Sequence, residues 1–353
     1  MKTMLAGRLQ LDTHAFTVEE VPLPTPGPGE VLIEVRAAGV CLSDIHLIDG
    51  SVSPFFPVAA VREARAVTLG HEVAGVIHSL GPDVRGPWTL GQRVVLQAGQ
   101  ACGECAGCLS RMMCRQPLTR GVDYDGGWAQ YAVAREDTLF PIPDGLPFDQ
   151  ASIIPDAVST PYAAIVDTGA VRPAQAVGIW GAGGLGAHAV RLARMVGAAP
   201  IIAVDPLPSA RARALAFGAD FTFDPLAPDF VEAVRGATAG RGLDVAFDFA
   251  GVGAARAQAA STLGPFGALV LAGLTPEPVT IDGSIDFCFN INQVRGHYGS
   301  GPEHVEQLVG LVSAGRIDLA PSITAHVPLA EAADAVARLE NKVGDPVRLV
   351  LVP

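Results

Sequence analysis

Residues 181–186 read Gly181-Ala182-Gly183-Gly184-Leu185-Gly186, between an apolar run that predicts a strand and a segment that predicts a helix. In such a loop the first glycine permits a tight turn, the second lets the backbone approach a ligand, and the last lets the helix pack against the strand. The helix start then offers N–H groups and a partial positive charge to phosphate oxygens. The loop therefore predicts a dinucleotide site that includes Gly181, Gly183, Gly184, Leu185 and Gly186.

Strands and helices alternate on the carboxyl-terminal side of this loop. Predicted strands cover residues 176–180, 200–204, 243–249 and 268–272, and predicted helices cover 185–196, 209–217 and 253–263. This alternation predicts an α/β fold with a doubly wound parallel sheet. A preceding helix over 149–167 should be broken or adjusted near Pro155 and Pro161, because proline lacks the backbone donor that a regular helix uses.

The rest of the chain has a different sequence pattern. The first 150 residues read as short strands separated by glycine and proline, which predicts a mostly β domain. Beyond residue 291, two helices and a final strand over 347–352 should return in part to that domain. We predict one domain from residues 1–152 with 291–353, and a dinucleotide-binding domain from 153–290.

The composition excludes several classes of protein. Of 353 residues, 49% are hydrophobic and 17% charged, so the chain can bury large cores and is not a disordered protein. The net charge of −12 argues against nucleic acid or an anionic membrane as a partner. The sequence shows neither a signal peptide nor a convincing membrane span, so we expect a cytoplasmic protein that acts on a small molecule.

An acidic residue completes the nucleotide fingerprint. Asp205 ends the predicted strand 200–204, the next strand after the glycine loop, where a carboxylate would bind the ribose 2′-hydroxyl. It would repel a 2′-phosphate, so NAD is favoured over NADP, although Arg211 and Arg213 follow closely. The alternative is that Asp205 only caps the turn at Pro206.

Four cysteines form a short cluster. Cys102, Cys105, Cys108 and Cys114 lie on one short stretch, and the chain has too few cysteines for a disulfide scaffold. Four thiolates on one loop are typical of a closed, tetrahedral, structural Zn²⁺ site. An iron–sulfur cluster could use a similar spacing.

A second set of metal-binding residue types is dispersed. Cys41 precedes Ser43, Asp44 and His46, and His71 with Glu72 follows at the start of a later predicted strand. One cysteine and one histidine make no motif by themselves. Cys41 can equally be a small buried apolar residue, and His71 a hydrogen-bonded strand residue.

Several motifs in order resemble the zinc-dependent medium-chain alcohol dehydrogenases over nearly the whole chain. They are Gly39-Val40-Cys41-Leu42-Ser43-Asp44, Gly70-His71-Glu72-Val73-Ala74-Gly75, the four-cysteine lobe, Asp125-Gly126-Gly127-Trp128-Ala129-Gln130-Tyr131, the Gly181–Gly186 loop and Val347-Arg348-Leu349-Val350. The resemblance implies a Rossmann-type domain and a mostly β, GroES-like catalytic domain. It also implies two zinc ions per chain, one catalytic and one structural.

The resemblance also implies roles for individual residues. Cys41, His71 and Asp156 would bind the catalytic zinc, with Glu72 beside them as an alternative or transient ligand. Asp44 would orient the histidine ligand, Thr160 would contact the nicotinamide, and Arg348 would lie near the pyrophosphate. From the residues alone, Asp156 could instead cap a helix after Pro155, and Arg348 could be a surface charge.

The expected chemistry follows from these roles. A catalytic zinc with one open position lowers the pKa of an alcohol, and hydride then passes to the nicotinamide. Ser43 could take the alcohol proton and His46 could carry it to solvent. Without the resemblance, Ser43 would be a turn hydroxyl and His46 a surface side chain.

Two departures from the family pattern affect the expectations. The interval from Cys108 to Cys114 is shorter than usual, so the lobe could be distorted. The segment 53–67 is longer than usual and could reshape the substrate entrance, which weakens any inference about substrate.

The leading hypothesis is an NAD-dependent dehydrogenase that acts on a primary or secondary alcohol and forms a homodimer or homotetramer. One alternative is a polyol, sugar-alcohol, aminocyclitol or other biosynthetic dehydrogenase of the same superfamily. Another is a catalytically silent scaffold that binds zinc and dinucleotide.

Overall fold

The computed structural model describes residues 2–51, 65–110 and 114–353. The strands of this part of the chain are β1 (Thr3–Gln10), β2 (Phe16–Pro22), β3 (Glu30–Val40), β4 (Ala66–Thr68), β5 (Val73–Leu80), β6 (Arg93–Leu96), β7 (Gly99–Gln100), β8 (Leu118–Thr119), β9 (Tyr131–Arg135), β10 (Leu139–Pro141), β11 (Val177–Trp180), β12 (Ile201–Val204), β13 (Phe221–Phe223), β14 (Leu243–Asp248), β15 (Leu263–Leu271), β16 (Gln293–Gly296), β17 (Ile323–Pro328) and β18 (Arg348–Val352).

The helices follow the same chain order. They are α1 (Leu42–Ile48), α2 (Ala106–Leu109), α3 (Phe148–Ser152), α4 (Ser159–Ala163), α5 (Gly186–Met195), α6 (Pro208–Phe217), α7 (Phe230–Ala237), α8 (Gly253–Ser261), α9 (Ser284–Phe289), α10 (Pro302–Ser313) and α11 (Ala332–Glu340). Within the described ranges, no helix is both long and apolar enough to cross a bilayer.

The chain divides into two compact units. The first comprises Met1–Asp156 with Ser300–Pro353, and the second Ala157–Gly299. The sequence prediction began the second unit at residue 153 and ended it at 290. The structure ends it later because β16 pairs in parallel with β15 and so extends the second unit's sheet.

The first unit is mostly β. Its main sheet has the order β10-β6-β5-β3-β18-β17, with β9 also paired to β3, and a smaller sheet has the order β2-β1-β4. The carboxyl-terminal strand β18 joins β3 in antiparallel fashion, with Leu349 opposite Val40. Residues from the two ends of the chain thus share one core.

Trp128 connects this core to the backbone near the candidate site. Its indole is fully buried, packs edge-on against Phe16, and donates from Nε1 to the Gly39 carbonyl oxygen at 3.0 Å. Gly70 has a φ of +94°, and a Cβ there would lie 2.2 Å from Trp128 Cδ1. Only glycine fits at this close approach.

The second unit is a parallel sheet in the order β13-β12-β11-β14-β15-β16. The strands next to the glycine loop are buried throughout, as expected for a sheet covered on both faces. The α/β fold class is therefore confirmed. The sequence prediction did not include the strands β13 and β16 or the helices α7 and α9 of this unit.

The segment before this sheet is not a regular helix. It runs through α3, a π-helical turn at Ile154–Val158, α4 and a second π-helical turn at Ala164–Thr168. The predicted adjustment near Pro155 takes the form of the first π turn, which suits a residue without a backbone donor. Asp156 lies within that turn.

Candidate metal centres and nucleotide loop

Four side chains from distant parts of the sequence converge in the first unit. Cys41, His71, Glu72 and Asp156 each offer a ligand atom, and these atoms all lie within 4.8 Å of one another. Asp156 Oδ2 lies 3.5 Å from Cys41 Sγ and 3.4 Å from His71 Nε2. Sulfur, imidazole and carboxylate ligands are the set that zinc prefers in proteins.

Strand pairing explains this convergence. Strand β3 ends one residue before Cys41, and β5 begins one residue after Glu72. The two strands are antiparallel, with Ala38 opposite Val73, so the 41 and 71–72 positions meet at one end of the pair. The Gly39 N–H donates to the Glu72 carbonyl oxygen at 2.9 Å and closes this end.

Asp44 supports two of the converging residues. Its Oδ2 accepts from the Cys41 backbone N–H at 2.9 Å, and its Oδ1 lies 3.6 Å from His71 Nδ1. Asp44 is completely buried. A carboxylate beside the far nitrogen of a histidine fixes the direction in which the ring presents its other nitrogen.

The electrostatics of the cluster favour a cation. Burial acts to lower the pKa of His71, but the Asp44 carboxylate and hydrogen bonds with Asp156 and Cys41 hold that pKa well above 6.5. Burial also raises the pKa of Glu72 to about 7, although the charge of Arg348 acts to lower it. The acids around His71 favour its protonated form, whereas burial disfavours the charged form of Glu72. The donor set and its charge therefore fit Zn²⁺.

Arg348 lies in this cluster. The residue is 2% exposed, and its Nη2 lies 2.8 Å from Glu72 Oε1 and 3.8 Å from Asp156 Oδ2. The alternative of a surface charge is thus wrong. The sequence did not predict the pairing with Glu72, and the contact of Arg348 with a pyrophosphate stays a prediction.

Ser43 and His46 both lie on α1, three residues apart, and so face the same side of that helix. Ser43 Oγ lies 3.7 Å from Cys41 Sγ. His46 is 40% exposed at its side chain, and its Nδ1 lies 3.1 Å from the Ser51 hydroxyl. Ser43 thus lies at the edge of the cluster, and His46 lies further along the helix, where it is partly exposed to water.

The four lobe cysteines also converge. Neighbouring sulfurs are 3.5–3.9 Å apart, from Cys105 and Cys108 at 3.5 Å to Cys105 and Cys114 at 3.9 Å. In a tetrahedron with Zn–S bonds of about 2.3 Å, sulfurs would lie about 3.8 Å apart. The short interval between Cys108 and Cys114 therefore does not separate the sulfurs, although residues 111–113 are outside the described part of the chain.

Backbone donors surround the lobe sulfurs. The N–H groups of Cys102 and Gln116 point to Cys114 Sγ at 3.3 and 3.4 Å, and that of Arg115 points to Cys105 Sγ at 3.3 Å. The backbone donors of Arg115 and Cys108 lower the pKa of Cys105 to about 6. Such donors stabilise a thiolate, the form that binds metal.

The glycine loop has the predicted geometry. It connects β11 to α5, Gly181 has a φ of +85°, and a Cβ on Gly186 would lie 1.7 Å from the Gly181 carbonyl oxygen. A Cβ on Gly183 would meet nothing within 4 Å, so this face of the loop is open. The neighbouring Gly184 carbonyl oxygen lies 2.6 Å from His188 Nδ1.

Asp205 makes contacts with both the loop and the turn. Its Oδ2 accepts from the Ala182 N–H in the glycine loop at 2.9 Å, and its Oδ1 accepts from the Leu207 N–H at 2.9 Å. The contact expected of a turn cap is thus present. A carboxylate can accept further hydrogen bonds, so Asp205 still has acceptor capacity for a ribose hydroxyl.

Thr160 lies on α4 and is 7% exposed. Its carbonyl oxygen is 3.0 Å from His297 Nε2, and His297 Nδ1 is 2.8 Å from the Thr168 hydroxyl. His297 was missed from the sequence, since no spacing signal relates it to residues 160–168. In the predicted long segment 53–67, residues 53–64 are outside the described part of the chain.

The family follows from comparison with known proteins. Residues 27–144 match the alcohol dehydrogenase GroES-like domain, and residues 184–314 match the zinc-binding dehydrogenase domain. The chain belongs to the zinc-binding medium-chain dehydrogenases. This confirms the resemblance, and the dehydrogenase is an oxidoreductase.

Individual relatives agree with this assignment. The dehydrogenase is 33% identical to an L-threonine 3-dehydrogenase of Pyrococcus horikoshii, over 86% of each chain. It is 31% identical to an NAD-dependent alcohol dehydrogenase of Sulfurisphaera tokodaii, over 99% of this chain and 100% of that one. A zinc-binding dehydrogenase structure from Sinorhizobium meliloti, bound to NADP, superposes with a TM-score of 0.89 at 28% identity and covers 100% of both chains.

We expect Cys105→Ser to lower the zinc content of this dehydrogenase by about one ion per chain, because one of four lobe thiolates is lost. The melting temperature should fall as well. Cys288→Ser is the matched control, since Cys288 is exposed on α9 and outside both clusters. Elemental analysis by mass spectrometry measures both variants, and an unchanged zinc content in Cys105→Ser would contradict a metal site in the lobe.

Proposed function

We propose that this dehydrogenase transfers a hydride between a primary or secondary alcohol and NAD, giving an aldehyde or ketone. The observation that supports this most is the convergence of Cys41, His71 and Asp156 around one point in the first unit. Three protein ligands leave a fourth position open, which distinguishes a catalytic from a structural zinc. The lobe would hold a second, structural zinc.

The residues around the catalytic zinc have separate tasks. A bound Zn²⁺ supplies Lewis-acid stabilisation of negative charge that develops on the substrate oxygen. Cys41, His71 and Asp156 would hold the ion, and Asp44 keeps the His71 ring in place. Glu72 is held beside them by Arg348, as an alternative ligand.

Ser43 and His46 would move the proton. Ser43 Oγ lies next to the ligand sulfur of Cys41, where it can accept the proton of the substrate hydroxyl as it gives up its own towards His46. His46 lies one helical turn further along α1 and is partly exposed, so its ring can exchange that proton with water.

Asp205 supports NAD as the cofactor, since a carboxylate would repel a 2′-phosphate. The two nearby arginines are engaged with the backbone. Arg211 Nη1 donates to the Asp205 carbonyl oxygen at 2.7 Å, and Arg213 Nη2 donates to the Ala182 carbonyl oxygen at 2.8 Å. Thr160 would contact the nicotinamide, and the loop Gly181–Gly186 the pyrophosphate. The Sulfurisphaera relative is named as NAD-dependent, whereas the Sinorhizobium structure holds NADP.

Three further hypotheses concern the substrate and the chemistry. Similarity to L-threonine 3-dehydrogenases makes a secondary alcohol that carries a charged amino-acid group a candidate. Polyols, sugar alcohols and aminocyclitols are candidates of the same superfamily. A silent scaffold that binds zinc and dinucleotide is the alternative outside enzymes.

The deciding experiment measures bound zinc and the absorbance of NADH at once. The purified protein is mixed with NAD⁺ or NADP⁺ and a panel of primary alcohols, secondary alcohols, L-threonine and polyols, and with NADH and the matching carbonyls. About two zinc ions per chain and NADH formation with one alcohol class would support the proposal. Bound NADH that no carbonyl consumes would support the scaffold instead.

Replacing Ser43 with alanine tests the proton path. We expect turnover to fall about 10²–10⁴-fold, the usual effect of losing a proton-transferring group. The zinc content should not change, because Ser43 is not among the ligands. Ser261→Ala removes an exposed hydroxyl from α8 and serves as the control. Unchanged turnover in Ser43→Ala would remove Ser43 from the path.

We also propose that the protein is a cytoplasmic homo-oligomer. None of the six cysteines is in a disulfide, which suits a reducing compartment. In the second unit, Phe289, Ile285 and Ile291 are 84%, 69% and 57% exposed, next to the edge strand β16. A second copy could cover this apolar face and pair with the strand edge across a two-fold axis.

Phe289→Asp should therefore lower the molar mass in solution by about half, since a charge would be buried without a partner in a symmetric interface. Multi-angle light scattering after gel filtration measures the mass. Leu226→Asp is the control, because Leu226 is 81% exposed but follows β13, the strand at the opposite edge of the sheet from β16. A wild-type mass in Phe289→Asp would exclude this face as the interface.

A further inference from the structure

The carboxyl ends of the parallel strands form one edge of the second unit's sheet. The order of the strands divides this edge into two sides, one on each side of β11. The glycine loop follows β11, and Asp205 follows the neighbouring β12. On the other side of β11 lie β14 and then β15. If the adenosine half of a dinucleotide lies by Asp205 and its phosphates lie at the loop, the nicotinamide half extends towards the turns after β14 and β15.

A buried ion pair joins these two turns. Asp248 ends β14 and is completely buried, and its Oδ2 lies 2.8 Å from Arg256 Nε on α8. Asp248 Oδ1 accepts from the N–H groups of Ala250 and Gly251, both at 2.9 Å. Arg256 Nη2 donates to the Gly273 carbonyl oxygen, in the turn after β15, at 2.8 Å.

The backbones of the turns are also in direct contact. A Cβ on Gly273 would lie 2.3 Å from the Gly251 nitrogen, and a Cβ on Gly181 would lie 2.9 Å from the Ala250 nitrogen. No side chain larger than hydrogen fits at Gly273 or Gly181, so the backbones of the turns stay in direct contact. A shift of the 249–251 turn would be transmitted to the glycine loop on one side and to Gly273 on the other.

Stability alone explains such a pair poorly. Buried ion pairs add little net stability, because the cost of removing two charges from water offsets their attraction. This pair does fix the direction of backbone groups in both turns, namely the Ala250 and Gly251 donors and the Gly273 carbonyl oxygen.

We propose that Asp248 and Arg256 are positioning residues that hold the turns after β14 and β15 in the arrangement that receives the nicotinamide half of the cofactor. Neither side chain needs to touch the cofactor. The inference rests on the proposed use of a dinucleotide, and it adds a pair of residues outside the glycine loop and Asp205 to the binding site.

The test compares NADH affinity with thermal stability in the full-length protein. Arg256→Leu should weaken NADH binding about tenfold or more, as expected for displaced binding groups, and should lower the melting temperature, because Asp248 stays buried and unpaired. The double variant Asp248→Asn/Arg256→Leu removes both charges, while the introduced amide oxygen can still accept from the turn. We expect its melting temperature to recover, and its NADH affinity to stay low because the link to Gly273 is gone.

Further variants complete the comparison. Arg256→Lys keeps the charge but not the two-pronged guanidinium, and should recover the melting temperature more fully than NADH affinity. Arg235→Leu is the matched control, since Arg235 is an exposed arginine on α7, and it should bind NADH like the wild type. If Arg256→Leu does not fold, the double variant and Arg256→Lys carry the test.

Fluorescence titration with NADH separates the possible outcomes. If affinity recovers together with stability in the double variant, the pair is only structural and the inference is wrong. Wild-type affinity in all variants would also overturn it. If the wild-type protein itself binds no NADH or NADPH, the proposed function fails, which is a different result.

Discussion

Confinement of acidic groups out of water is the constraint on which the first unit's site depends. The Asp44, Glu72 and Asp156 carboxyls and the Cys41 thiol surround one imidazole and one guanidinium, and all but Asp156 are buried. Like charges a few ångströms apart repel strongly where water is excluded. Against the effect of burial, the Asp44 charge raises the pKa of His71 by attracting its protonated form, whereas burial raises the pKa of Glu72 together with this repulsion. A divalent cation at the point where the ligand atoms converge would relieve it, so affinity for metal is built into the arrangement of the fold.

The candidate nucleotide site of the second unit has the opposite electrostatic character. Its glycine loop has no charged side chain and relies on open backbone, the start of α5 and close packing at Gly181 and Gly186. The negative group, Asp205, is already bound by two backbone donors and so is fixed in position. One unit thus concentrates charge that would suit a metal ion, and the other arranges neutral dipoles that would suit phosphates.

Local patterns predicted the part of the second unit around the glycine loop well. The strands and helices around residues 176–217 end within a residue or two of their predicted limits, because each is a continuous run with its own periodicity. The four-cysteine lobe was also predictable, since all four ligands lie on one short loop. Cys41 and His71 were not, because only the pairing of β3 with β5 brings them together, and the resemblance to a family was needed to select them. Asp156 depended on a π turn whose exact form no pattern specified.

The contacts that the sequence did not predict share one property. Arg348 with Glu72 and Arg256 with Asp248 are both buried arginine–carboxylate pairs, and each includes a residue at the end of a strand beside a candidate site. Neither pair has a spacing signal, since the first joins distant parts of the chain and the second spans a strand-to-helix turn. In each pair, the guanidinium also donates to a backbone carbonyl oxygen, of Val40 and Gly273 respectively. A buried arginine of this kind joins a charged group to the backbone of another segment. Because the net stability of such pairs is small, their position beside both candidate sites favours a role in holding the residues of those sites in place over a role in holding the fold.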